Sequence, residues 1–178
     1  MCWWARTPSA QPSERPVGAP DLPLAETERG VSVSRTFVMV KPDGVRRGLV
    51  GCIVARLERK GLSLVAMKLV VVSPAMAARH YAEHRDKPFY PELVQFITAG
   101  PAVAMVWEGR EAVAVVRGLM GATDPAKAAP GTIRGDWALS MTENLVHGSD
   151  GEASADREMR IYFSDAELSA GTQPRPLA

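Results

Sequence analysis

The sequence predicts one α+β domain in which helices cover a four-stranded antiparallel sheet. Short strand-like runs alternate with helical stretches in the outline βαβ–α–βαβ, without an internal repeat or heptads. Two βαβ units whose strands are not adjacent in the sheet typically pack together into one antiparallel sheet. A change of composition near Val31 marks the start of the region. We therefore predict the ferredoxin-like arrangement over residues 31–168.

The first half of this region should contain strand, helix, strand and helix. Thr36–Lys41 is a short β-type run that stops at the turn signal Pro42–Gly44. Leu49–Lys60 has apolar residues at helical spacing, and a glycine follows it. Alternating side chains predict a strand at Leu62–Val72. Ser73 then supplies an N-cap before a proline, so a helix should begin there and include the next two histidines.

The second half continues this alternation around one long irregular stretch. The pattern predicts a short helix at Pro91–Thr98, a strand at Val103–Trp107 and a helix at Arg110–Leu119. Regular periodicity fades from Met120 to Thr142, and a loop of that length within a compact domain is usually functional. The remaining elements are a strand at Leu145–Val146 and a helix at Ala153–Phe163.

Composition and charge exclude several classes of function. Lys and Arg number 21 against 20 acids, so the net charge of +1 lacks the basic excess typical of nucleic-acid or membrane-surface binding. No apolar run approaches the roughly 20 residues that span a bilayer. Cys2 and Cys52 make no disulfide framework, as is typical of a reducing compartment, and Cys52 should fill a core or interface gap. We expect a cytoplasmic protein without a membrane or nucleic-acid partner.

The two ends of the chain differ from the domain. Residues 1–30 are rich in proline and small polar residues, which predicts a disordered leader, and residues 169–178 predict a flexible tail. The leader lacks a secretory apolar region. Its four acids argue against a mitochondrial transit peptide; they are Glu14, Asp21, Glu26 and Glu28.

His147 is the most informative candidate for chemistry. The sequence has neither a P-loop motif nor G-x-G-x-x-G, so side chains must bind any phosphate. His147 follows a predicted strand, and Ser149 and Glu158 come two and eleven residues later. A hydroxyl and a carboxylate near an imidazole can fix its tautomer and leave one nitrogen as a nucleophile. Alone, this pattern fits a structural histidine equally well.

Cations and hydroxyls at element ends and in the long loop favour the chemical role. Lys41, Arg117 and Arg134 are three cations that could converge on one site, with Thr123 nearby in the loop. Such a set matches an anion as dense as a triphosphate.

Five segments resemble nucleoside diphosphate kinase. They are RTFVMVKPDGVRRGLVG, HYAEHRDKPFYPELV, AGPAVAMVWEG, ATDPAKAAPGTIRGD and NLVHGSD, and the match runs from Arg35 to Glu167. This resemblance implies a kinase that transfers the γ-phosphate of a nucleoside triphosphate to a nucleoside diphosphate. It also implies a ping-pong mechanism through a phosphohistidine.

The resemblance implies the catalytic roles residue by residue. His147 matches the phosphorylated histidine, and Ser149 with Glu158 matches the pair that orients its ring. Tyr81, in HYAEH, matches the tyrosine beside the transferred phosphate. Lys41, in VKPDG, matches the lysine that reaches the terminal phosphate and the ribose 3′-hydroxyl.

The nucleotide-binding residues follow from the same resemblance. Arg117, Thr123 and Arg134 match the residues that clamp the outer phosphates, and Asn144 matches the one that binds the sugar hydroxyls. Phe89, in KPFYP, matches the aromatic on which the base stacks, which predicts poor discrimination among bases. On the other side of the base lies Met141.

Cofactor and assembly are implied in the same way. Mg²⁺ should arrive with the nucleotide and take few protein ligands, with Asp150 as one through water. Members of the family are usually hexamers or tetramers, so we expect a homo-oligomer.

Some residues outside the motif roles have other interpretations, and one alternative function remains. His80 and His84 could bind zinc, but HYAEH lacks the HExxH order, which favours a pair on the helix surface. Trp107 is predicted to be a core residue. A nucleic-acid-binding or regulatory protein on the same fold would use the basic stretch from Arg46 to Lys60 and would not need His147.

Overall fold

The computed structural model describes residues 33–170, so the predicted leader and most of the predicted tail lie outside the described residues. It contains one antiparallel sheet of four strands in the order β2-β3-β1-β4. The predicted α+β fold, with its four-stranded antiparallel sheet, is therefore confirmed. The strands are β1 (Val33–Val40), β2 (Ser63–Val71), β3 (Pro101–Arg110) and β4 (Val146–Gly148).

Eight α-helices cover the sheet within the described residues. Eight of the nine predicted helices and strands appear within a few residues of their expected positions. Short 3₁₀ turns occupy Ala82–His84 and Pro125–Lys127. The helices are α1 (Pro42–Arg46), α2 (Val50–Arg59), α3 (Pro74–His80), α4 (Tyr90–Thr98), α5 (Ala112–Met120), α6 (Ile133–Trp137), α7 (Glu152–Tyr162) and α8 (Asp165–Ala170).

Two local predictions were wrong. Pro42–Gly44 begins helix α1 and is not a turn, since the proline occupies the first turn, where its missing N–H costs nothing. The helix expected to continue through His84 ends at His80 and gives way to a 3₁₀ turn. The stretch from Met120 to Thr142 also contains the short helix α6.

The sheet has an apolar core on each face. Alternate residues of the central strands point to opposite sides, so Val38 and Trp107 pack with α2 and α5, whereas Phe37 and Val106 pack with α3, α4 and α7. Trp107 is fully buried, as predicted. β1 pairs with β3 along its whole length and with β4 at its end, where Met39 lies opposite His147.

Two side chains differ from their predicted environments. His80 is only 3% exposed and is not on a helix surface, because it shares a face of α3 with the buried Ala77. Of the two histidines, only His84 is exposed. Cys52 is exposed on α2, so the core position is wrong, and its place in an interface stays a prediction.

Leu145 bends the backbone immediately before β4. Its φ of 72° is left-handed, a conformation that costs roughly 1–2 kcal/mol for a residue with a Cβ. Its N–H donates to the buried Asp43 carboxylate at 3.0 Å, and its carbonyl accepts from the Lys41 N–H at 2.8 Å. These two bonds hold the segment before His147 against helix α1.

Among residues 33–170, no helix has both the length and the apolar character needed to cross a membrane.

Candidate active site

A pocket of about 520 Å³ opens beside β4. Its walls come from the ends of β1, α3 and α5, from the long loop, and from α7. A volume of this size suits a small organic ligand. Of the residues predicted for the site, those lining the pocket are Lys41, Tyr81, Phe89, Arg117, Thr123, Arg134, Met141, Asn144, His147, Asp150 and Glu158.

His147 is held on the wall by a buried carboxylate. Its Nε2 lies 2.8 Å from Oε2 of Glu158, whose side chain is only 5% exposed, whereas the His147 side chain is 22% exposed. When Nε2 donates its proton to this carboxylate, Nδ1 is the ring nitrogen with the lone pair. The arrangement fixes one tautomer of a partly accessible imidazole.

Ser149 supports the carboxylate from behind the pocket. It is fully buried, and its hydroxyl donates to the same Glu158 oxygen at 2.7 Å. Ser149 is thus the one predicted site residue that does not line the pocket. Gly148 lies between His147 and Ser149 in the sequence, and a Cβ there would come within 2.6 Å of the Met120 sulfur. Any larger residue after the histidine would therefore require the Met120 side chain to move.

Lys41 reaches the floor of the pocket at the end of β1. Its ammonium donates to the Asn144 side-chain oxygen at 2.6 Å, and the residue is only 6% exposed. Burial lowers the pKa of Lys41 to about 8, with the nearby Asp43 acting in the opposite direction and Arg134 adding to the lowering. The lysine is therefore a cation whose charge depends on pH near neutrality.

Arg134 and Arg117 contribute charge in different ways. Arg134 is buried and donates to the carbonyls of Gly121 at 2.9 Å and Val146 at 2.8 Å, with a longer bond to Asn144 at 3.4 Å. Burial, with help from Arg117, lowers its pKa to about 10, so it stays charged at neutral pH. Arg117, in the last turn of α5, is exposed at the pocket edge.

Tyr81 and His80 form the wall beside His147. The His80 ring lies 4.4 Å from the His147 ring and 4.5 Å from the Tyr81 ring, between ring centroids. Burial raises the pKa of Tyr81, and burial together with the neighbouring His147 lowers the pKa of His80 well below its usual value. The Tyr81 hydroxyl and both His80 ring nitrogens are buried without a hydrogen-bond partner among the described residues.

The mouth of the pocket is apolar and open. Phe89, before α4, is 51% exposed, and Met141, in the loop before β4, is 57% exposed. Thr123 is also exposed, and its carbonyl accepts from the Asn144 amide at 3.1 Å. The predicted base ligands thus lie at the entrance together with Thr123 and Arg117, whereas the other predicted phosphate ligands, Lys41 and Arg134, are buried.

Four carboxylates line this pocket, and one of them, Asp150, is the predicted metal ligand. Asp150 is exposed at the rim, and its hydrogen bond from Ser154 lowers its pKa, so it is ionised at neutral pH. Mg²⁺ usually takes one or two carboxylates together with waters and substrate phosphates. One rim carboxylate fits an ion that a phosphate ligand delivers.

Several lining residues were missed by sequence reasoning. Arg157 forms ion pairs with Glu83 in the 3₁₀ turn and, at 3.7 Å, with Glu158. Its position next to Glu158 was the available signal, but adjacent helix residues usually diverge. The other missed lining residues include His80, His84, Glu92 and Leu93.

The fold and the site together define a class of protein. An α+β domain with a carboxylate-held histidine in a pocket of four cations is the arrangement expected of a phosphotransferase. The four cations are Lys41, Arg117, Arg134 and Arg157.

Comparison with known proteins identifies the family. The family model for nucleoside diphosphate kinase matches residues 34–168. The nucleoside diphosphate kinase of Moorella thermoacetica is 61% identical over 138 residues, which are 78% of this chain and 99% of the relative. That of Archaeoglobus fulgidus is 61% identical over 136 residues, covering 76% of this chain and 90% of the relative.

A solved structure agrees with this result. The nucleoside diphosphate kinase of Halobacterium salinarum, determined in complex with CDP, is 56% identical and has a TM-score of 0.75. The similarity covers 76% of this chain and 91% of that one. The chain therefore belongs to the nucleoside diphosphate kinase family. The resemblance inferred from the five motifs is confirmed, and the predicted phosphotransferase activity is the activity of this family.

Proposed function

We propose that the protein transfers the γ-phosphate of a nucleoside triphosphate to a nucleoside diphosphate through a phosphate on Nδ1 of His147. The supporting observation is the 2.8 Å contact between Nε2 and the buried Glu158 carboxylate, which leaves the other ring nitrogen as the nucleophile. Glu158 also stabilises the ring as it gains positive character. The Ser149 hydroxyl keeps the carboxylate in place.

The cations stabilise the moving phosphoryl group. Phosphoryl transfer needs in-line positioning and stabilisation of charge on the oxygens, and little covalent chemistry from the protein. Lys41 and Arg134 present fixed donors from the buried side, and Arg117 with Thr123 closes on the outer phosphates from the entrance. The buried Tyr81 hydroxyl, which lacks a partner among the described residues, can donate to a phosphate oxygen.

The remaining contacts orient the nucleotide. Asn144 already binds Lys41, so it can hold the sugar hydroxyls close to the same ammonium. Phe89 and Met141 sandwich the base by stacking and apolar contact, without reading its edges. Mg²⁺, bound to the nucleotide phosphates and through water to Asp150, would neutralise phosphate charge.

Exchange of phosphate tests this function directly. The protein mixed with γ-labelled ATP should acquire label that is labile in acid and stable in alkali, as a phosphohistidine is. Addition of dGDP or TDP should then move the label to the nucleotide. A protein that takes no label, or keeps it in the presence of either diphosphate, would refute the ping-pong proposal.

The alternative, a nucleic-acid-binding role, gains no support from the basic stretch. Arg46 is paired with Glu143 at 2.7 Å and Arg56 with Asp136 at 2.8 Å, so part of its charge is neutralised. A cytoplasmic location stays a prediction from the sequence.

The nucleotide affinity should depend on the charge of Lys41. Because the pKa of Lys41 in the free protein is about 8, the ammonium is charged below pH 8 and neutral above it. The second ionisation of a phosphate, with a pKa of about 6, is complete in this range and adds no slope. Affinity for nucleoside diphosphate, measured by calorimetry, should therefore fall as pH rises from 7.5 to 9.5. In Lys41→Gln the affinity should be weaker and nearly independent of pH, and a wild-type affinity that stays flat would contradict this role.

We also propose that the protein is a homo-oligomer, with strand β2 in an interface. β2 is at the edge of the sheet, and three apolar side chains on one of its faces are exposed. Met67 is 50% exposed, Leu69 66% and Val71 68%. An exposed apolar row on an edge strand favours contact with another chain.

Leu69→Glu should reduce the oligomer mass measured by light scattering. A charge within a desolvated interface costs far more than one on a free surface, so the equilibrium should shift toward smaller species. Val33→Glu is the matched control, because Val33 is also 66% exposed but lies on β1. Equal dissociation of both variants, or of neither, would argue against β2 as the interface.

A further inference from the structure

His80 is a buried histidine that the proposed reaction does not use. It is 3% exposed, and neither of its ring nitrogens has a hydrogen-bond partner among the described residues. An unpaired buried polar group carries a free-energy cost, and such a group in a native structure calls for an explanation. His80 also lines the pocket, but its ring nitrogens are buried, so a rotation of side chains must precede binding of a ligand to them.

His80, His147 and Glu158 together present a set of metal ligands. One ligand atom from each lies within 4.8 Å of those of the other two. Zinc binds imidazole nitrogen and carboxylate oxygen at about 2.0–2.2 Å, which places tetrahedral ligands roughly 3.3 Å apart. Rotations of the side chains that move these atoms by about 1 Å would close the site.

The ligand types select the metal. Two imidazoles and one carboxylate form the three-ligand set of open zinc sites, whereas Mg²⁺ and Ca²⁺ prefer oxygen throughout. The pocket side of the cluster leaves the fourth position to water. We propose that His80, His147 and Glu158 bind Zn²⁺, and that the bound ion prevents phosphorylation of His147. The second half of this proposal rests on the proposed function, and the first half does not.

The surroundings set the strength of binding. Arg157 lies 3.7 Å from the Glu158 carboxylate, and Lys41 and Arg134 line the same pocket, so cations oppose a divalent ion. Affinity should consequently be weaker than in a closed structural zinc site. Coordination would also prevent His147 from acting as the nucleophile. A metal on Nδ1 would occupy the lone pair that attacks the phosphate, and a metal on Nε2 would displace the hydrogen bond to Glu158 that orients the ring.

Calorimetry without nucleotide tests the binding half. The full chain, with Cys2→Ser and Cys52→Ser to remove competing thiols, is titrated with Zn²⁺ after treatment with a chelator. One ion per chain should bind, and millimolar Mg²⁺ should leave this unchanged. His80→Phe and His80→Gln should each weaken binding at least about tenfold, as expected for loss of one of three ligands. The matched control is His84→Phe, which removes a pocket histidine outside the cluster and should bind as the parent does.

Spectroscopy provides a result that does not depend on a variant. Zinc X-ray absorption of the parent protein should show two imidazole nitrogens at about 2.0 Å. One imidazole or none in that shell overturns the site, and so does unchanged Zn²⁺ affinity in both His80 variants or an equal loss in His84→Phe.

Labelling by γ-labelled ATP tests the second half. At a buffered free Zn²⁺ concentration that fills the site, the initial labelling rate should drop at least about tenfold, in line with about 90% occupancy or more, and chelation should restore it. The His80 variants should retain their own labelling rates at the same Zn²⁺ concentration. Unchanged labelling of the zinc-loaded parent overturns the inhibitory role. A protein that takes no label even without zinc refutes the proposed function and leaves the calorimetric result to decide the metal site.

Discussion

Replacing His147 with alanine should lower the rate of phosphate exchange at least ~10⁴-fold, since removal of a covalent nucleophile has effects of that order or larger. The measurement is transfer of label from γ-labelled ATP to dGDP, together with the phosphohistidine content of the protein. Nucleotide affinity should change little, because the cations proposed to bind the phosphates remain in place. The exchange rate of this variant should therefore fall while its nucleotide affinity stays close to that of the wild type.

Glu158→Gln is the matched control for the chemistry. It keeps the nucleophile and the approximate shape of the buried side chain but removes the charge that orients the ring. Loss of such a supporting partner typically costs about 10–100-fold. The expected order of rates is wild type, then Glu158→Gln, then His147→Ala. Full labelling of His147→Ala would place the phosphate on another residue and remove the basis of the mechanism.

Arg134→Ala should lose both activity and stability. Its guanidinium donates to three backbone carbonyls from the loop and β4, two of them at 2.9 Å or less. Truncation leaves buried acceptors unpaired, so we expect a loss of about 3 kcal/mol in the free energy of unfolding. The exchange rate should also fall ~10²–10³-fold, as for other preorganised donors at sites of developing charge.

Arg117→Ala separates these two effects. Arg117 is exposed at the pocket edge, so its loss should slow exchange while leaving the urea midpoint within error of wild type. Denaturant unfolding and exchange kinetics on both variants provide the comparison. Equal stability of the two arginine variants would show that the carbonyl contacts of Arg134 contribute nothing to folding.

The fold was predictable where one periodicity persists over a whole element. β2 alternates, β1 and β3 contain continuous apolar runs of strand length, and α2 and α7 repeat their apolar residues at helical spacing, so sequence and structure agree there within a few residues. The five-residue helix α1 was missed because it is too short to show a period and begins with proline and a glycine two residues later. In such a segment, turn and helix signals coincide.

The site was predictable in composition but not in contacts. The motifs identified which residues belong together, and eleven of them line one pocket. Nothing in the sequence indicated that Arg134 bonds to carbonyls 10–13 residues away, because such pairings depend on the path of the long loop. His80 was predicted to lie on the helix surface with His84 because HYAEH lacks the HExxH order, whereas the packing of α3 buries it. Tertiary packing decided both cases.

The left-handed residue Leu145 has a consequence for how mutations act in this protein. Asn144 precedes β4 and His147 lies within it, yet both border the pocket, with the left-handed Leu145 between them. The bend at Leu145 therefore lies between the proposed sugar ligand and the proposed nucleophile and sets their relative positions. A substitution that relaxes this bend should move the two side chains apart, so KM should rise and kcat should fall together, even though Leu145 is buried and does not line the pocket.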